Sequence, residues 1–510
     1  MTPRRAPAAA KRAAKARVNG AKARVKTRAK VAMAAKTRAK VAKVAKVAKV
    51  AKVAKPTQVA KPTQVAKVAK VAKVAKVVKA AQPAQPKAAA SARVIADLEQ
   101  LAALTSDERG AQRVAWSPTW RKTREWFTAK LGELGITPER DGAGNLWATV
   151  RGKTSRSLVI GSHLDSVPGG GWLDGCLGVL AGLEVLRQHR EPELTIHLVD
   201  WADEEGARFG RSLMGSAAAA GALDARAELA HLVDRAGVTL PAALAENGLD
   251  LDQLETAAAY FQALDAVAYL ELHIEQGPVL QELDEPVGVV LGTMGVERYS
   301  LKFVGQAAHS GAAPIHLRKD AFLAAAEFAL GCRAISIKYS GNTPRTRVVA
   351  TCGVVKVEPN FVTAVPGSTE ISIDLRALDA KVLDKMLADA KTVAANAAAK
   401  HLTTVTWSPL LHITPRPFDK TLMSFVRDAV REVVGTAPEL PSGPLHDASE
   451  MAAVVPTAMV FAMSSPGVSH TRIEDTPRPA LDKSIRAFLI AVDRTLAHHA
   501  ARETRRRRAL

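Results

Sequence analysis

Apolar residues are distributed along this chain in two rhythms. Short continuous runs at 158–161, 194–201 and 269–273 suit strands buried on both faces, whereas the longer stretch 177–189 carries the spacing of a helix. Between the second and third of these runs, residues 212–266 are rich in Ala and Leu and read as helical. From 91 to about 292 the elements therefore alternate as in a parallel-sheet α/β domain. The next block changes character: strand 299–304, helix 319–334, strands 347–357 and 369–376, helix 381–400 and strand 403–407. That order, β-α-β-β-α-β, is the split βαβ arrangement of a small independent unit. A last segment returns to helices 420–434 and 448–455, strand 458–463 and helix 482–499.

Composition divides the chain further. Of its 71 Lys and Arg, 26 fall in residues 1–90, which contain no Asp or Glu; the remainder carries 45 basic against 50 acidic residues. The net charge of +21 therefore belongs to a tail. Residues 39–78 repeat Lys-Val-Ala, interrupted by two copies of Lys-Pro-Thr-Gln. On a helix each lysine would advance about 60° from the last, so the charges would spiral and form no membrane-binding stripe. Ala and Val bury too little surface to offset the entropy of ordering, and the tail is expected to be disordered when free. It resembles the lysine- and alanine-rich tails of histone-like proteins and could bind nucleic acid through phosphates, without sequence preference; an inert solvated extension is the blander reading. A basic end, 501–510, closes the chain. Three cysteines, Cys176, Cys332 and Cys352, with no paired spacing, suit a reducing, cytoplasmic setting. No apolar run approaches the roughly 18 residues of a membrane span.

Apolar runs lead into most of the acids and imidazoles that could carry chemistry. Gly161-Ser162-His163-Leu164-Asp165, Asp174-Gly175, Asp203-Glu204-Glu205-Gly206, His273-Ile274-Glu275-Gln276 and Ser469-His470 would gather at neighbouring strand ends, where α/β folds keep their sites. His163 and Asp165 project from one side of an extended segment, so the Asp165 carboxylate can orient the imidazole. Asp174 follows a Gly-rich turn, and one carboxylate between two cations would bridge them. Adjacent Glu204 and Glu205 can split their tasks, one ligating while the other activates water. Because His470 lies after the small unit, that unit reads as an insertion: 91–292 and 409–500 form the catalytic domain, 293–408 the insert.

The strings GSHLDSVPGGGWLDGCLGVLAG, DEEGARF, ELHIEQGPVL, GQAAHSG, VPG with IDLR, and SHTRIEDTP resemble the N-carbamoyl-L-amino-acid hydrolase, β-ureidopropionase and allantoate amidohydrolase group, relatives of dinuclear zinc aminoacylases and exopeptidases. The resemblance covers residues 91 to about 500. It implies an α/β, mixed-sheet catalytic domain of the zinc-exopeptidase type with an inserted ferredoxin-like lid and dimerisation domain. It also implies two divalent metal ions per subunit, Zn with Mn or Co as alternatives: His163, Asp174 and His273 for one, Asp174, Glu205 and His470 for the other. The implied activity is hydrolysis of linear C–N bonds of N-carbamoyl amino acids or ureido acids by a metal-bridging hydroxide, with Glu204 as general base. His309 would donate to the oxyanion across a homodimer, Arg376 would grip the substrate carboxylate, and Gln276 and Arg298 would touch substrate. Two positions depart from the group's pattern. Thr363 stands where an Asn shares the carboxylate, and Leu445 replaces a Gly beside the ligand. An aminoacylase or dipeptidase with the same metals, and a nucleic-acid-binding protein acting through residues 1–90, are the competing expectations.

Overall fold

The computed structural model describes residues 87–509. Most of the basic tail expected at 1–90, with its disorder and nucleic-acid binding, lies outside the described residues. Within the described residues the chain builds a nine-stranded mixed sheet and a separate five-stranded antiparallel sheet, each over its own apolar core.

The large sheet is centred on four parallel strands: Leu194–Trp201, Thr154–His163, Ala266–Ile274 and Thr457–Ala462, in that spatial order. Every residue of Leu194–Trp201 and of Thr457–Ala462 is buried, which is why these runs lack polar alternation. Helices Lys87–Thr105, Cys176–Gln188, Lys420–Val434 and Arg478–Ala509 pack on one another and on the sheet. The parallel reading of residues 91–292 needs correction at both sides of this centre. Leu146–Val150 runs antiparallel to Leu194–Trp201, and Val287–Thr293 runs antiparallel to Thr457–Ala462. Glycines 288 and 292 disguise the second of these as a linker. Residues 212–266 form five short helical pieces, not long helices, because Gly221, Gly237 and Gly248 adopt left-handed φ between them.

The chain leaves this sheet after Thr293 and returns at Arg416. In between, Gly295–Val304 pairs with Ser368–Ala377 on one side and Thr404–Ile413 on the other. The single strand expected at 347–357 is two, Val349–Thr351 and Val355–Glu358, both paired with Ser368–Ala377. Three residues lie between Thr351 and Val355 where two lie between their partners, Asp374 and Ile371, so the extra residue breaks the strand. Helices Ala321–Tyr339 and Ala380–Lys400, each started by an aspartate accepting backbone N–H bonds, cover one face. Two further boundaries shift. The last strand continues to Ile413, and the final helix runs to Ala509, through the basic end expected as a separate segment.

Burial within the large sheet has a measurable cost in acid. His197, on Leu194–Trp201 with Nδ1 2.9 Å from the Thr149 hydroxyl, is pushed down from its ordinary 6.5 to about 4, by burial first and Arg151 second. The native state therefore refuses a proton that the unfolded chain accepts below 6.5. The stability this confers is complete above pH 6.5 and is lost as pH falls toward 4, about 3 kcal/mol over that window. Thermal unfolding of His197→Gln should consequently show a shallower loss of Tm between pH 7 and 4.5 than the parent.

Candidate metal centre

Parallel pairing sets the chemistry at one edge of the large sheet. His163 lies opposite Trp201, and Phe461 opposite His273, so His163, the Asp203-Glu204-Glu205 loop, His273 and the His470 loop all issue from the same carboxyl ends. Asp174 arrives just before helix Cys176–Gln188. Gly175, at φ +66°, allows that entry, for a Cβ there would lie 2.3 Å from the His163 carbonyl oxygen and 2.5 Å from its ring.

Two donor sets share Asp174. His163, Asp174 and His273 place ligand atoms within 4.8 Å of one another, and so do Asp174, Glu205 and His470. Asp174 Oδ1 faces His273 Nε2 at 3.1 Å and His163 Nε2 at 3.9 Å, while Oδ2 faces His470 Nε2 at 3.6 Å. Glu205 Oε2 lies 3.2 Å from the same His470 nitrogen. The other ring nitrogens are already occupied: His273 Nδ1 meets the Ile274 carbonyl at 2.9 Å and His163 Nδ1 the Asp165 carbonyl at 3.2 Å. Each Nδ1–H donated to a carbonyl leaves an Nε2 lone pair aimed inward. Asp174 Oδ1 and His273 Nε2 are buried and have no hydrogen-bond partner. Two acceptor atoms converging at that distance suit a cation between them, and the His and carboxylate donors fit Zn or Mn.

The electrostatics agree with that chemistry. Burial pushes Glu204 well above the usual carboxylate range, with His163 opposing and Asp447, Glu205 and Asp165 adding to the rise. Glu205 is raised well above its ordinary value by burial and by Asp174. Asp174 moves the other way: burial would raise it, but His273, His163 and His470 outweigh burial and hold it low. Glu204 Oε2 stands 3.6 Å from His163 Nε2 and belongs to neither donor set.

Asp165 faces both the His163 ring and the loop that carries the two glutamates. Its backbone carbonyl is nearer the His163 ring than its carboxylate, which stands at 3.6 Å. The carboxylate also accepts from the backbone N–H groups of Glu204 and Glu205, at 3.3 and 3.2 Å, and so holds the loop that presents both glutamates. Asp203, at φ +56° in that loop, takes a 2.7 Å bond from Trp116 Nε1. Gln276 donates to Asp174 Oδ2 at 2.8 Å and lies 3.4 Å from His470 Nε2. Arg298 and Arg376 both bind Asp374, and Arg376 also reaches the Gly443 carbonyl. Leu445 is half-buried next to His446, whose ring lies 4.4 Å from that of His273. His309 and Thr363 sit together at an exposed end of the small unit, where Ser310 N–H donates to the Thr363 carbonyl. Neither has a hydrogen bond or ion pair with the metal-ligand candidates.

Sequence reasoning gives no role to Glu474, which the fold brings to Asp174 across 300 residues. Its Oε1 accepts the Asp174 backbone N–H at 3.2 Å, and its Oε2 contacts Ser469 Oγ at 2.5 Å. Ser469 Oγ is also 2.8 Å from Asp174 Oδ2. Burial and Asp174 push Glu474 up to about 7. Only the string SHTRIEDTP could have signalled this pair. If they set the rotamer of a shared ligand, Ser469→Ala should weaken metal binding by about 10- to 100-fold, read by competition with a chromogenic chelator.

Fold and centre together define an α/β protein with clustered His and carboxylate donors at the carboxyl edge of its central sheet. Residues 159–494 match the model of peptidase family M20/M25/M40, and the chain belongs to that family. The N-carbamoyl-L-amino acid amidohydrolase of Geobacillus stearothermophilus is 34% identical over 371 residues, 72% of this chain and 88% of the relative. The allantoate amidohydrolase of Bacillus subtilis is 28% identical over 389 residues, 75% and 92% of the two chains. A hydantoinase/carbamoylase family amidase from Burkholderia ambifaria superposes with a TM-score of 0.70 at 32% identity, covering 79% of this chain and 96% of that one. Among the described residues no helix is long and apolar enough to cross a membrane.

Proposed function

We propose that this chain is a metal-dependent amidohydrolase that cleaves the linear C–N bond of N-carbamoyl amino acids or related ureido acids, releasing ammonia and carbon dioxide. The supporting observation is Asp174, whose two oxygens face two separate donor sets. His163, Asp174 and His273 would hold one divalent ion and Asp174, Glu205 and His470 the other, with Zn favoured and Mn or Co as alternatives. Such ions, when bound, polarise the carbonyl and make water acidic enough to react near neutral pH.

The chain's own residues do the rest. Glu204 stands beside the ligands without being one of them and accepts the proton of the attacking water, then passes it to the leaving nitrogen. Asp165 keeps that carboxylate in place by holding its backbone N–H. Arg376, aided by Arg298, would take the substrate carboxylate in a two-pronged grip that a Lys could not copy. Gln276 lies against the shared ligand and lines the same side.

The five-stranded unit, residues 293–408 by the sequence reading, would act as lid and dimerisation surface. On the homodimer reading His309 serves the site of the partner subunit, which fits its exposure and its lack of contact with the cluster in its own chain. Thr363, at the same exposed end, would follow it. Three free cysteines are in keeping with a cytoplasmic protein. The test is ammonia release by the metal-loaded protein from N-carbamoyl-L-amino acids, N-carbamoyl-β-alanine and allantoate. Release of a carboxylic acid or amino acid from acyl or dipeptide substrates, without ammonia, would replace this reading with an aminoacylase or dipeptidase.

A further inference from the structure

The face of the five-stranded sheet that its helices leave uncovered carries more cations than anions. Along Ser368–Ala377, Ile371, Ile373 and Leu375 are buried in the small core, so Asp374 and Arg376 project from the opposite face. Arg298 stands directly across from Asp374 and Val349 across from Arg376, which places Arg347, two residues before Val349, on that same face. Asp374 serves two guanidinium groups: Oδ2 takes Arg298 Nε at 2.9 Å and Nη2 at 2.6 Å, and Oδ1 takes Arg376 Nε at 2.7 Å. Arg347 has no such partner. Its Nε is buried without an acceptor, and it forms no ion pair among the described residues.

Its neighbours lie on loops of the candidate site. The Arg347 guanidinium lies against Gly443, where a Cβ would come within 3.3 Å of Nη2, and the Gly443 loop leads to His446 beside His273. Glu275 exerts the main opposing charge on Arg347, yet it stands beyond ion-pair distance. Both Glu275 oxygens are already taken, by the backbone N–H groups of Val279 and Leu280. Glu275 also precedes Gln276, which donates to Asp174. A half-buried guanidinium between two loops of the site, with donors unspent, is costly to keep unless a ligand supplies the acceptor.

We propose that Arg347 is a specificity-determining residue that binds a second anionic group of the substrate. The favoured substrates are then ureido acids with two carboxylates, the N-carbamoyl derivatives of acidic amino acids. This rests on the amidohydrolase reading above. A monoanion taken by Arg376, as proposed above, in place of its contact with Asp374 leaves Arg347 unpaired, whereas a dianion engages both guanidinium groups.

The experiment compares ammonia release from N-carbamoyl-L-aspartate and N-carbamoyl-L-glutamate with that from N-carbamoyl-L-alanine, using the full metal-loaded chain. Parent protein should favour the dianions in kcat/KM. Arg347→Gln should lower kcat/KM for the dianions by about 10- to 100-fold, chiefly through KM, and leave N-carbamoyl-L-alanine within about twofold. Arg347→Lys should restore part of the difference, because charge survives while the planar fork is lost. No preference for dianions in the parent, or an equal loss on all three substrates, overturns the proposal. A parallel arm measures equilibrium binding of the same compounds to metal-loaded Glu204→Gln protein, with and without Arg347→Gln. If nothing is turned over, the amidohydrolase reading fails, and this arm still decides Arg347: tighter dianion binding that Arg347→Gln abolishes supports it, equal binding overturns it.

Discussion

Glu204→Gln is expected to reduce kcat by about 100- to 10,000-fold while the bound metal stays at the parent level, measured by elemental analysis alongside turnover. The substitution is nearly isosteric, and Glu204 belongs to neither donor set, so the ligand geometry has no reason to change. What disappears, on the proposed mechanism, is the proton acceptor. Burial keeps this carboxylate well above the ordinary range, which makes it a stronger base than an exposed glutamate. Loss of metal together with activity would instead make Glu204 a ligand, and the base would have to be sought elsewhere. Glu205→Gln is the control, since its carboxylate belongs to the His470 set and its loss should lower metal content.

Asp174→Asn should have the larger effect on metal, removing both ions from a single position. Each Asp174 oxygen faces a different donor set, and an amide supplies one weak oxygen ligand and one NH2 donor where two anionic oxygens stood. Metal content should fall well below two equivalents, with activity reduced by at least about 10,000-fold. Added zinc stabilises a native site by about 4 kcal/mol at a thousand times its dissociation constant, so the Tm difference between zinc-loaded and chelated protein should largely vanish in this variant. Full retention of two ions would show that Asp174 does not bridge them. Ser469→Ala, which removes the hydroxyl shared by this carboxylate and Glu474, should leave the ligand set intact and give an intermediate result.

Most of the candidate ligands could be read from the chain because buried parallel strands announce themselves. The runs ending at His163 and His273 are apolar on both faces, and a titratable group at the end of such a run is conspicuous. Asp174 was readable from the glycine-rich turn before it. Glu474 and Arg347 were not, since each lies in a segment with no periodicity and acquires its neighbours through loops distant in sequence. Asp165 is legible from its spacing from His163, whose ring its carboxylate faces at 3.6 Å, whereas its hold on the Glu204–Glu205 backbone is not, because that loop arrives from a segment distant in sequence.

By itself the sequence determined the buried central strands and the main helices, through the periodicity of burial, and which acids and imidazoles stand at their ends. It could not determine which strand lies beside which. Ala266–Ile274 sits between Thr154–His163 and Thr457–Ala462, and that neighbourhood alone brings His163, His273 and the His470 loop to one edge. Local patterning records only how much of a residue is hidden from water. Strand partners, and the contacts of Asp174 with Glu474 and of Arg347 with Gly443, are chosen by backbone hydrogen bonding and side-chain packing between segments far apart in the chain, and these take effect only when the whole core closes.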